Sequence, residues 1–318
     1  MSSSPARPSR AAIVATAHES IARGSKSFAA ASRLFAPETR ERAWLLYAWC
    51  RACDDLADGQ DHGHGMTIVA DPQARLALLT ARTEAALAGQ WVGDPAFDAL
   101  RFVAAETRLP HQFVRDHIAG FALDADDWRP RSENDLMRYC YHVAGVVGCM
   151  MAIVMGVDRD DEVTLDRACD LGMAFQLANI ARDIEEDDRV GRCYLPIDWL
   201  VEMDIPPGQH MKPPFRTRLT VLSQRLADRA AAFEDSARYG TPALDFRSAW
   251  AILAAAAIYG AIGRQVAARG EHAWDHRVTT STWQKIAFMA TARGQAAARR
   301  RLYRPAPRDP ALWTRPRG

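Results

Sequence analysis

Apolar positions recur at three- and four-residue spacing through almost the whole chain, and that period predicts helices. The pattern runs from Ala11 to Arg23 and stops at Gly24. Pro37 suits a first helical turn and opens a run through Trp44, Tyr47 and Cys50 to Asp58, where Gly59 ends it. Gln73–Gly89 and Pro95–Leu109 read as amphipathic helices, and Pro110 starts another that fades at Ala122. Asp124 to Arg131 reads as a charged turn. Ser132 and Asp135 then form a capping-box signature before Tyr139–Gly148, a stretch apolar on nearly every side and therefore buried. Asp160–Asp188, Trp199–Met203, Arg216–Arg238, Ala243–Arg269 and Ser281–Leu302 complete the helices, with a Pro-rich loop at Ile205–Pro214. Only Thr67–Ala70 resembles a strand. The expectation is an all-α fold, one domain spanning residues 11–302, with helices around a central apolar cavity.

The ends look different. Residues 1–10 are Ser/Pro/Arg-rich without an apolar core, so they read as a disordered tail and not a signal peptide. Residues 303–318 form a Pro/Arg-rich tail that, with Arg299–Arg301, reads as solvated, with membrane-surface contact as the weaker option. The chain has 318 residues, 48% of them hydrophobic, and a formal charge of +1, so no global field points to nucleic acid. The longest apolar near-candidate for a membrane span, Ala249–Gly263, is too short. Six cysteines in a chain this long make no disulfide framework. Cys50 and Cys53 sit in an apolar helical run and read as buried thiols, which fits a reducing, cytoplasmic setting. His62 and His64 suit a surface loop better than a metal site.

Two stretches carry the chemistry. Leu45–Asp58 and Phe175–Asp187 are apolar helical runs that end in carboxylates four apart, Asp54/Asp58 and Asp183/Asp187, each preceded by an arginine, Arg51 or Arg182. Residues four apart share a helix face, and like charges there are destabilising unless a cation sits against them. One such pair is ordinarily a solvated face paired to arginine. Two pairs, each closing an apolar run, point instead to Mg²⁺ and a polyphosphate, with arginines as bidentate partners. Apolar neighbours such as Phe28, Val143, Ala144, Val147 and Ile180 suggest a prenyl chain on that phosphate. The small residues Ala144, Gly145 and Gly148 leave room either for a neighbouring helix or for an apolar ligand. Ser25-Lys26-Ser27-Phe28 reads as a helix connection or as a phosphate-contacting flap.

These stretches resemble the two aspartate-rich motifs of the squalene/phytoene synthase family. Ser25–Phe28, Tyr139–Gly145, Arg192–Pro196, Tyr259 and His276-Arg277-Val278 match in order as well, so the resemblance spans about residues 18–300. The wording around Cys50–Asp58 and Arg192–Pro196 is most similar to the bacterial, phytoene-forming members. The resemblance implies head-to-head condensation of two geranylgeranyl diphosphates through prephytoene diphosphate to phytoene, with Mg²⁺ or Mn²⁺ and without NADPH. By motif, Asp54, Asp58, Asp183 and Asp187 would hold metal, with Asp55 a weaker candidate. Arg51, Arg182, Arg277, Ser25 and Tyr259 would contact diphosphate. Gln176, Asn179, Tyr139 and Tyr194 would line the reaction centre, and Phe28, Val143, Ala144, Val147 and Gly148 would shape the prenyl tunnels. Rival readings are a squalene or dehydrosqualene synthase using farnesyl diphosphate, a head-to-tail chain-elongating transferase, and a helical scaffold without activity. The second acidic stretch lacks the adjacent Asp pair of the chain-elongating enzymes. Such an apolar product would be handed to a membrane surface or a downstream enzyme, which makes peripheral membrane contact an expectation.

Overall fold

A computed structural model describes residues 7–24, 26–58 and 71–317, and leaves the side chains of Lys26, Ser27 and Asp58 undescribed. Ser25, His62, His64 and the strand-like Thr67–Ala70 lie outside the described residues. Every regular element among the described residues is helical, as the periodicity predicts. The helices gather into two compact units, one up to His111 and one from Gln112 onward.

The first unit holds α1 (Arg10–Gly24), α2 (Lys26–Ser32), α3 (Pro37–Asp58), α4 (Pro72–Leu87) and α5 (Pro95–Thr107). Its core is made of Ile13, Ile21, Leu45, Trp49, Leu79, Phe97 and Leu100, all essentially without solvent exposure. Arg10, assigned by sequence to the tail, opens α1 and pairs with Glu41 at 2.6 Å and with Glu106 at 2.5 Å. Arg42 reaches the same Glu106 at 3.1 Å, so one carboxylate ties α1, α3 and α5 together.

The second unit is built on α9 (Glu162–Arg189), a 28-residue helix. Against it pack α8 (Val146–Val154), α11 (Arg216–Arg238) and α12 (Phe246–Arg269), while α13 (Thr282–Leu302) lies on α12. The unit also contains α6 (His111–Ala125), α7 (Glu133–Cys140) and the short α10 (Ile197–Glu202). The capping box forms as read: Asp135 N–H donates to Ser132 Oγ, and Ser132 N–H donates to Asp135.

Three sequence readings need correction here. The run expected as one helix from Tyr139 is α7 and α8 joined by a π-helical turn, Tyr141–Gly145, a widened turn that re-aims the side chains around it. The stretches Glu133–Val154 and Phe246–His272 are long and apolar enough to cross a bilayer by length and composition, although sequence reading expected none. Their most apolar windows are 61% and 50% buried within the protein, as helices of a packed core are. The C-terminal tail is largely exposed, as read, but it does not hang free. Arg308 grips the buried Asp170 with Nη2 at 2.6 Å and Nε at 2.9 Å, and Arg315, itself buried, reaches Asp166 at 2.9 Å. Arginines spaced for solvent in sequence are consumed by acids far upstream on α9.

The glycines decide what the small-residue stretch does. A Cβ on Gly148 would meet Ala168 O at 2.2 Å, and one on Gly172 would meet Ala144 O at 2.1 Å. Two backbones touch there, so helix packing uses the space at Gly148.

Candidate active site

In the second unit, Gln176, Asn179, Asp183 and Asp187 fall on one face of α9, following the three- and four-residue spacing. Asp183 is clamped by its neighbour Arg182, Nε to Oδ1 at 2.7 Å and Nη2 to Oδ2 at 2.6 Å. Arg277 approaches the same carboxylate at 3.1 Å and also pairs with Glu186. The segment carrying Arg277 is pinned to α9, because Trp274 Nε1 donates to Ala181 O at 3.0 Å and Val278 is fully buried. Tyr259 of α12 stacks on Phe175 with ring centroids 4.2 Å apart. Its phenol also helps hold the Arg182 proton, which burial disfavours and Asp183 secures.

Asp187 lacks such compensation. Burial first, and the charge of Asp183 second, push its carboxyl up to about 7; Arg192 pulls the other way without offsetting them. Asn179 Oδ1 is buried with no hydrogen-bond partner among the described residues. A buried acceptor without a donor and a carboxylate that resists ionisation are both relieved by a hard cation with oxygen ligands. No three His, Cys, Asp or Glu side chains converge as a ready-made metal cluster among the described residues. The donor set therefore fits Mg²⁺ held by few carboxylates and completed by phosphate oxygens and water, and not a closed protein cage.

Beside this face stands an aromatic stack. Trp128, Tyr139 and Tyr194 lie in sequence, with centroids 5.7 Å and then 4.8 Å apart and planes within 22°. Both phenols converge on Asp124, Tyr139 donating to Oδ2 at 3.0 Å and Tyr194 to Oδ1 at 3.1 Å. Burial, and then the Asp124 charge, push both hydroxyls well above the ordinary tyrosine range, so they keep their protons. Sequence reading found the two tyrosines and missed Asp124, which it placed in a turn. The residue belongs to the last turn of α6, two residues beyond the predicted end at Ala122. Glu186 and Trp274 were missed as well. An acid amid other acids and a tryptophan amid apolar residues carry no local signal of a partner some 90 positions away.

Val143 and Ala144 lie in the π-helical turn and Val147 follows it on α8; all three are half-buried. Val143 packs close to Gly120, where an added Cβ would meet its Cγ1 at 2.9 Å.

In the first unit, α3 carries Arg51, Asp54 and Asp58 on its final turns. Arg51 pairs with Asp54 at 3.4 Å, and its guanidinium lies 5.8 Å from the Tyr47 ring centroid. Phe28 stacks on the same Tyr47 ring, with centroids 5.3 Å apart. Gly24 leaves room for this group: a Cβ there would come within 2.5 Å of the Tyr47 hydroxyl. Cys50 and Cys53 are free, with thiols pushed up by burial, as expected of core cysteines.

Residues 21–284 match the family model for squalene/phytoene synthase. The chain is 46% identical to the 15-cis-phytoene synthase of Enterobacter agglomerans, covering 92% of this chain and 99% of that one. It is 45% identical to the 15-cis-phytoene synthase of Pantoea ananas, covering 94% and 96%. Among solved structures, a dehydrosqualene synthase in complex with ligand superposes with a TM-score of 0.81 at 26% identity, covering 91% of this chain and 98% of that one. With an acidic, arginine-flanked helix face, the match across most of its length and an isoprenoid-synthase fold, this chain belongs to the squalene/phytoene synthase family.

Proposed function

We propose that the chain is a 15-cis-phytoene synthase, a prenyltransferase of carotenoid biosynthesis that joins two geranylgeranyl diphosphates head to head. One diphosphate leaves as the cyclopropane prephytoene diphosphate forms. The second leaves as that ring opens and rearranges, and loss of a proton gives phytoene. The observation that carries this reading is the α9 face, where Asp187 stands poorly compensated beside the Arg182–Asp183–Arg277 group, in a chain 45–46% identical to proteins so named.

On this reading Asp183 and Asp187 would hold Mg²⁺, and by family pattern so would Asp54 and Asp58. The ion would supply charge stabilisation for the departing diphosphate. Arg182 and Arg277 are placed to exchange part of their hold on Asp183 for diphosphate oxygens, which match a guanidinium fork equally well. Arg51, Ser25 and Tyr259 take the remaining diphosphate contacts. Gln176 and Asn179 line the reaction centre, and Asn179 Oδ1 offers an acceptor that the protein itself leaves open. Tyr139 and Tyr194 border the centre as neutral hydroxyls held by Asp124. Since both keep their protons, released diphosphate is the better base for the last proton. Phe28, Val143, Ala144 and Val147 wall the prenyl chains, where each buried methylene contributes about 0.8 kcal/mol. Gly148 serves by letting α8 and α9 approach.

The experiment is incubation of the purified chain with geranylgeranyl diphosphate and Mg²⁺, without NADPH, followed by identification of the hydrocarbon by mass and chromatography. Phytoene as main product is expected. The likeness to a dehydrosqualene synthase favours one second reading, condensation of farnesyl diphosphate. A thirty-carbon product formed in preference, with both substrates offered together, overturns the first reading in favour of the second.

A further inference from the structure

Of the arginines that the sequence offers for contact with a membrane, Arg299–Arg301 and those of the tail, the structure occupies three in the tail. Arg308, Arg315 and Arg317 are all committed to Asp170, Asp166 and Glu162. The exposed cations that remain include those of α13.

This helix buries only Ala292 and Ala296, against α12. The opposite side of its wheel is exposed from end to end and carries no acidic residue, nor does any other position of the helix. Its first half presents Trp283, 80% exposed, and Ile286, 51% exposed. Small residues, Ala290 and Ala297, continue the stripe, and Arg293, Arg300 and Arg301 flank and end it, all exposed. None of these three arginines makes an ion pair among the described residues. Arg299, one position away, is turned inward and donates to Leu244 O at 3.0 Å and Ala296 O at 2.8 Å.

A solvated helix face ordinarily intersperses acids and bases that pair at four-residue spacing. This one combines an exposed tryptophan, an exposed isoleucine and cations alone. We propose that α13 docks flat on an anionic phospholipid bilayer, with Trp283 and Ile286 at the acyl boundary and Arg293, Arg300 and Arg301 among the phosphates. Charge complementarity selects the occupant, since a cationic face without acids matches a continuous negative surface. A bilayer needs only area, an amphipathic aromatic and charge, and this face offers all three. The inference needs this surface alone and stands whichever prenyl substrate the enzyme uses.

The test is sedimentation of the full chain with vesicles of phosphatidylcholine containing phosphatidylglycerol, against phosphatidylcholine alone. The wild type is expected to pellet with the anionic vesicles at low salt and to be released at high salt. The triple variant Arg293→Gln/Arg300→Gln/Arg301→Gln should lose about tenfold or more of that partition. Trp283→Ala should lose about as much and keep the salt dependence. Both should keep the wild-type circular dichroism and melting midpoint, because every substituted side chain is exposed. Absence of wild-type binding to anionic vesicles at low salt overturns the proposal, as does wild-type partition of both variants. A wild-type dimer dispersed by Trp283→Ala, without lipid binding, overturns it in favour of self-association.

Discussion

Asp166 and Asp170 stand four apart near the start of α9, and Asp183 and Asp187 stand four apart near its end. By local sequence the two pairs are alike, acids on an apolar helix with an arginine alongside, Arg167 or Arg182. Their surroundings are not. Asp170 is fully buried, and its carboxyl is raised by that burial but held back by Arg308 and by the Ser236 hydroxyl. Asp166 receives Arg315 at 2.9 Å and Arg317 at 2.8 Å. Both carboxylates of this pair have a cation from the C-terminal segment, which Arg167 further fastens by donating to Ala306 O at 2.8 Å. At the other end Asp183 is paired, but Asp187 is pushed up to about 7 in spite of the opposing pull of Arg192. A filled acidic pair is a fastening, whereas a pair left short of positive charge has capacity to bind.

The largest effect should separate the two pairs by what they lose. Asp183→Asn and Asp187→Asn should each fold normally and lose about a thousandfold in kcat/KM, roughly 4 kcal/mol of transition-state stabilisation, in the hydrocarbon-forming assay. Normal turnover by either variant removes α9's second pair from the chemistry. Next, Arg308→Ala should unfold in urea with about 3 kcal/mol less stability, because it leaves Asp170 charged and buried without its cation. Its turnover at a temperature where it remains folded should stay near that of the parent chain. A stability equal to that of the parent chain would mean that the tail contact contributes little.

A smaller effect concerns pH. Asp187 binds its proton more tightly folded than unfolded, so its contribution to stability is fully present below about pH 4 and is lost as pH rises toward 7. Part exposure discounts the cost at neutral pH to about 2 kcal/mol. Mg²⁺ should therefore raise the melting midpoint more at about pH 8 than at about pH 5, and Asp187→Asn should raise it without Mg²⁺ and remove that pH dependence. His117 works in the opposite sense. Burial lowers it to about 4, and its Nδ1 donates to His142 O at 3.0 Å, so stability is lost as pH falls from about 6.5 toward 4. His117→Gln should flatten that acid limb in urea titrations by up to about 3 kcal/mol. The smallest effect serves as control. Arg225→Gln breaks an exposed pair with Glu202 at 2.7 Å and should leave the midpoint unchanged within error.

The sequence by itself determined the helical class, nearly every helix and the acidic face of α9, because these rest on local spacing. Hydrophobic period, caps and carboxylates four apart are readable without knowing what lies opposite. Tertiary structure decided which acidic pair stays short of charge, since Arg308 and Arg315 arrive from about 140 residues away. It also decided that Gly148 serves helix packing, that Asp124 gathers two tyrosines, and that Trp274 fixes Arg277 beside Asp183. Whether a charge or a small residue is free for a ligand depends on what packs against it, and no window of sequence contains that neighbour.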